Sequence, residues 1–107
     1  MKAAKNYRES LMKALKDPAE AAEYVNAALE ENDSDAVLLA LRDVAQARGM
    51  SAVSRKAGLN RVSLYRMLSR RGNPHLGSIL RLLRVSGLKL RVAAGPSAAP
   101  GRYLKSR

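Results

Sequence analysis

The feature that most restricts how this chain can fold is a four-residue punctuation, Ala57-Gly58-Leu59-Asn60, between two short stretches of helical periodicity. Gly58 can take the positive φ that a tight inter-helix turn often demands, without side-chain cost. Asn60 stands where a side-chain oxygen can accept a backbone N–H of the following turn and so start a helix. Beyond it Leu64, Met67 and Leu68 recur at helical spacing and form a stripe to be buried. The pattern predicts helices over 51–57 and 61–70, the first capped by Ser51 and turning Val53 and Ala57 inward. Ser54 sits where close packing usually prefers Ala, and its hydroxyl can bond back to a carbonyl.

The elements before this unit follow from caps and apolar spacing. Tyr7, Leu11, Ala14 and Leu15 share one side of a helix expected over 6–16. Asp17-Pro18-Ala19-Glu20 ends it and opens another over 18–31, with Asp17 as cap, Pro18 in the first turn and Glu20 placed to reach back. Ala21, Val25, Ala28 and Leu29 form that helix's apolar side. Both faces are thin, so these helices are expected to dock on the rest of the chain or on another protein. The polar break 32–35 caps a third helix over 35–48, which buries Val37, Leu38, Leu41, Val44 and Ala45 and stops at Gly49.

After the central unit, Gly72 and Pro74 argue against continuation of the 61–70 helix. A helix over 76–85 is expected to bury Leu76, Ile79, Leu80 and Leu83, with Arg81 and Arg84 outside and Gly87 as its stop. Residues 88–92, LKLRV, alternate apolar and basic, which predicts a short half-buried β-strand that pairs with its twin or with a partner's strand. From Ala93 the composition turns to Gly, Pro and Ala without periodicity, the mark of a mobile tail. The expected organisation is an acidic helical segment 1–33, a domain 34–92 and a basic tail 93–107. The fold class is all-α: a core domain of about five helices, one or two N-terminal helices before it and one short strand after it.

Charge is segregated along the chain. Net charge is +11, but residues 1–35 carry five Lys/Arg against eight Asp/Glu, while residues 36–107 carry fifteen against a single acid, Asp43. A polyanionic partner for the second part follows, since phosphate neutralisation supplies most non-specific nucleic-acid affinity. Anionic lipid is the competing polyanion, and short basic helices without one strongly amphipathic face suit it less. No apolar run approaches the roughly 18 residues of a membrane span. The first residues lack the apolar middle of a secretion signal, so a cytoplasmic location is expected.

On the 61–70 helix, the side opposite the leucines carries Arg61, Ser63, Tyr65, Arg66 and Arg70. A basic, aromatic-bearing second helix after a tight turn is what the DNA major groove requires, and an ordinary hairpin with a solvated basic face has the same pattern. Side chains of its first two turns would reach base edges: Arg61, Val62, Tyr65 and Arg66. Arginine can bridge guanine N7 and O6, and Val62 can meet a thymine methyl. Ser51, Arg55, Asn60, Arg70 and Asn73 lie at helix ends and turns, where phosphates are held. A homodimer on a two-fold operator is expected, because one reading helix covers few base pairs. The chain has no cysteine and one histidine, His75. It has no nucleophile–base pair, phosphate-cradling glycine loop or ligand cluster, so no catalytic residue, metal site or cofactor is expected and the chain is not read as an enzyme.

The run GLNRVSLYRMLSRRGNPHLGSILRLLRVSGLKLRV resembles the probable addiction-module antidote proteins of bacteria and prophages, antitoxins with a phage-repressor (XRE, lambda-repressor-like) helix-turn-helix. The similarity is carried by Gly58-Leu59 with Arg61, Leu64-Tyr65, Gly72-Asn73-Pro74 and Leu88-Lys89-Leu90, and extends more weakly upstream. Ser54, commonly Ala in the family, and Asn60, often Ser, are departures that leave the fold untouched. The resemblance implies a two-protein operon, in which this chain neutralises a RelE/HigB-type, mRNA-cleaving toxin and represses its own promoter as a dimer. The acidic segment 1–33 is a candidate toxin contact, and equally a plain structural cap. A stand-alone repressor, and a basic module for an acidic protein or RNA, are the competing readings.

Overall fold

The computed structural model describes residues 2–96. Six helices follow one another there: α1 (Lys2–Ala14), α2 (Pro18–Glu30), α3 (Ser34–Arg48), α4 (Met50–Ala57), α5 (Arg61–Met67) and α6 (Leu76–Val85). The described residues are all-helical in class, with no strand among them. Residues 34–92 hold four helices rather than about five. The further helix on that core is α2, which packs along α3.

α3 is the axis of the packing. It touches α1 and α2 on one side and α4 on another, and α4 in turn touches α5 and α6. Leu38, Ala40, Leu41, Val44, Ala45 and Ala47 are all buried on it, which explains how one helix serves several neighbours. Its small alanines let partners approach, while its leucines and Val44 supply the apolar area. Leu15, Ala21 and Val25 reach this core from the N-terminal side, and Leu64, Leu68, Leu82 and Leu83 from the other. The thin faces of α1 and α2 thus find their cover on α3.

Polar contacts fasten the same junction. Asp43 accepts from Arg8 Nη1 at 2.8 Å and from the Tyr24 hydroxyl at 2.6 Å, so one carboxylate ties α1 and α2 to α3. Arg8 also donates to Gln46. Burial, with the Asp43 hydrogen bond second, pushes the Tyr24 hydroxyl from its ordinary value of 10.0 up to about 12. The lone acid of the basic half is a structural tether.

Caps account for most helix ends. Asp17 accepts from Ala19 N at 3.0 Å with Pro18 in the first turn of α2, and Asp33 accepts from Asp35 N at 3.0 Å to open α3. α4 and α6 close with the same device. After α4, Gly58 N donates to Arg55 O and Leu59 N to Ser54 O; after α6, Gly87 N donates to Arg84 O and Leu88 N to Leu83 O. Both glycines have positive φ, +69° and +76°, and the leucine after each is half-buried against the core, as the Schellman motif requires.

Several expectations are corrected. α1 starts at Lys2 and ends at Ala14 rather than spanning 6–16, because Lys2-Ala3-Ala4-Lys5 are good helix formers. Tyr7 is 67% exposed, since the N-terminal half of α1 has little beneath it. Ser51 does not cap α4: the helix starts one residue earlier at the buried Met50, and Gly49 takes the capping place with no side-chain bond. Leu76 and Leu80 on α6 are exposed, at 65% and 38%, while Leu82 and Leu83 are buried. Leucines lie on several faces of that helix, so spacing alone left its phase undetermined. Residues 88–92 are not a strand within this chain, as no neighbouring segment supplies a ladder for them. Of the expected tail, 93–96 have no regular structure, and 97–107 lie outside the described residues.

Candidate nucleic-acid interface

The interface is built from α4, the turn at Gly58 and α5. Gly58 is left-handed, so the chain reverses within two residues of the end of α4. Asn60 then starts α5 with extended backbone, its side-chain oxygen accepting from Val62 N at 2.8 Å and Ser63 N at 3.2 Å. That oxygen is committed to the cap, and the amide N–H groups of Asn60 remain available to a ligand.

Anchoring comes from the opposite side of α5, where Leu64 and Leu68 are both fully buried. With these in the core, the helix can present only one side to solvent. That side carries Arg61, Val62, Ser63 and Arg66, all exposed. Val62 is 63% exposed, an apolar side chain of one helical turn held in water among arginines. Three of the four expected base-reading residues therefore share one open face.

Tyr65 differs. It is half-buried and packs against the core. The Arg61 guanidinium carbon lies 5.9 Å from its ring centroid and that of Arg42 lies 5.4 Å away, both within cation–π range. Arg42 sits on α3, and sequence reasoning missed it, because no local pattern links residue 42 to residue 65. The ring therefore draws two positive charges to one place, which concentrates potential beside the start of α5.

The expected phosphate-contacting residues are all exposed: Ser51, Arg55 and Asn60 on α4 and at the turn, and Arg70 and Asn73 beyond α5. The Ser51 carbonyl accepts from Ser54 Oγ at 3.0 Å, the back-bond that lets Ser54 be buried. α5 stops at Met67 rather than at residue 70, because Ser69 takes the Arg66 carbonyl with both its backbone N–H, at 3.2 Å, and its hydroxyl, at 2.8 Å. That tightened turn leads to Gly72, and Ser63, Arg66, Arg71 and Asn73 line a depression of about 280 Å³ there. Arg66 and Asn73 thus share a recess, and Arg55, on α4, does not line it. His75 is exposed at the start of α6 and makes no side-chain capping bond. Among the described residues no group of three or more His, Cys, Asp or Glu could hold a metal ion, and no helix is long and apolar enough to cross a membrane.

Comparison with known proteins places the chain in a family. A family model described as "Probable addiction module antidote protein" matches residues 5–94. The chain belongs to that family. It is also 38% identical over 69 residues to an uncharacterized protein of Haemophilus influenzae, covering 64% of this chain and 71% of the relative. No solved structure matches the chain. Membership of an antidote family makes this a protein of the toxin–antitoxin kind, implies a toxin as its partner, and goes with a role that is typically non-enzymatic.

Proposed function

We propose that this chain is a DNA-binding antitoxin, which neutralises a RelE/HigB-like ribonuclease toxin by direct contact and represses its own operon as a homodimer. In this reading α4 and α5 are a lambda-repressor-like (XRE-type) helix-turn-helix and α5 lies in the major groove. Arg61, Val62 and Arg66 read base edges, with Tyr65 holding Arg61 in place, and Ser51, Arg55, Asn60, Arg70 and Asn73 hold phosphates. The observation that carries it is the division of α5: Leu64 and Leu68 fully buried on one side, Arg61, Val62 and Arg66 exposed on the other. A helix held so firmly by its back has a fixed face to present, which base readout needs and a merely solvated surface does not.

The acidic residues support the toxin half. Glu20 and Glu23 are exposed on α2, remote in sequence from the basic α5 face, and such charges suit a basic protein. The segments 1–33, 34–92 and 93–107 then divide the labour into toxin contact, DNA domain and basic tail.

The test is fluorescence anisotropy on the DNA upstream of this protein's own gene, against a scrambled duplex of equal length, over a salt series. Tighter binding to the upstream DNA is expected, and Arg61→Ala and Arg66→Ala should each reduce that preference by about 1–3 kcal/mol. Equal binding to both duplexes, with the variants only flattening the salt slope, would overturn the reading.

A further inference from the structure

The exposed leucines of α6 do not stand alone. Leu29 of α2, Val37 and Leu41 of α3, and Leu76, Ile79 and Leu83 of α6 line an open groove of about 430 Å³, together with the extended segment at Leu88–Arg91. Four of these side chains, Leu29, Val37, Leu41 and Ile79, continue into a second recess of about 510 Å³ that runs to Asn32 and Asp33. Leu76 is 65% exposed at this groove and Leu90 48%. A trough this open has room for apolar side chains of another polypeptide.

The two ends of the trough carry opposite charge. Lys89 and Arg91 line one end. Asp33 lines the other, next to Glu30 and Glu31, both exposed. A surface that is acidic at one end and basic at the other complements itself under a two-fold rotation, which sets each basic end on the partner's acidic end.

The backbone of 89–92 makes no backbone hydrogen bond among the described residues. Pairing this segment with its twin in an antiparallel ribbon centred on Leu90 would set Lys89 directly against Arg91, like charges that destabilise a cross-strand pair. Docking 88–92 along the partner's groove instead takes both cations to the acidic end.

We propose that a second copy of this chain is the occupant of this groove. The two copies join antiparallel, Leu76 and Leu90 of each against the other, with Lys89 and Arg91 of one facing Glu30, Glu31 and Asp33 of the other. The homodimer of the reading above gains a defined surface here, and the inference rests on that reading only for the need of two copies. No residue of α5 lines the trough, whereas Asn73, beyond α5, lines its second recess.

The experiment is sedimentation velocity of the full chain without DNA, which keeps its outcome separate from DNA reading. Wild type is expected to dimerise, and Leu90→Asp or Leu76→Asp should weaken association at least about tenfold. Both sites are exposed, and unchanged circular dichroism confirms folding. The decisive arm is charge exchange. A K89E/R91E double variant and an E30K/E31K double variant should each be monomeric alone and should form a heterodimer when mixed, because the exchanged ends again match. A monomeric wild type, as expected if another polypeptide or the chain's own tail fills the trough, overturns the proposal. So does a dimer indifferent to these changes, or a mixture that fails to associate.

Discussion

Gly58 is where α5 is aimed, and its replacement isolates one physical term. Its φ of +69° is left-handed, and a Cβ built on it would meet nothing within 4 Å. The cost of Gly58→Ala is therefore conformational and not steric. Left-handed backbone costs an L-residue about 1–2 kcal/mol, and the stiffer unfolded chain offsets part of it. A net loss of about 1 kcal/mol is expected, which lowers Tm by about 4 °C for a chain of this size. Asn tolerates the left-handed region, so Gly58→Asn should lose about half as much. Gly72 supplies the contrast, because a Cβ there overlaps the Met67 carbonyl oxygen and lies 2.7 Å from its carbon. Gly72→Ala should cost about 1–3 kcal/mol through forced backbone movement, and Gly72→Asn should be no better. Thermal and urea unfolding followed by circular dichroism measures all four variants. If Gly58→Ala is neutral, or if Gly58→Asn is as damaging as Gly58→Ala, the assignment of the turn is wrong.

Other expectations follow from burial and from the Asp43 tether. Leu64→Ala should destabilise by about 2–5 kcal/mol in urea titration, because the side chain is fully buried, whereas Leu76→Ala, 65% exposed, should leave monomer stability nearly unchanged. Tyr24→Phe should cost about 1 kcal/mol by loss of the hydroxyl bond to Asp43. The Tyr24 pKa is raised on folding, so its contribution is complete below pH 10 and is lost as pH rises towards about 12. Tyrosinate absorbance should show a late-titrating tyrosine near pH 12, absent in Tyr24→Phe; a wild-type chain without that phase contradicts the tether.

The parts of this fold that were legible in the sequence are the local ones. Gly58, Asn60, Asp17 and Gly87 do their work within four residues of themselves, so type and spacing suffice to read them. The stripe of α3 was legible at Leu38, Leu41, Val44 and Ala45, whereas Val37 is only part-buried and Ala40 and Ala47, which face other neighbours, are buried as well. What could not be read depends on what lies opposite. The phase of α6 was ambiguous among leucines, and tertiary packing chose Leu82 and Leu83 over Leu76 and Leu80. The early end of α5 hinged on one serine hydroxyl reaching back to the Arg66 carbonyl. Arg42 of α3 reaches Tyr65 of α5 only once the chain has folded. Of the candidate interface, then, the open arginines could be read from the chain, but the half-buried ring that draws two arginines together could not.

The central claim is that one chain uses separate faces for DNA and for a toxin. The most direct test is growth rescue by the R61A/R66A double variant, expressed with the toxin of the proposed pair. Undiminished rescue by a variant that no longer prefers its upstream DNA is the expected result, since neither arginine lies on α1 or α2. Loss of rescue by a folded variant would contradict the claim, placing toxin and DNA on the same surface of α5.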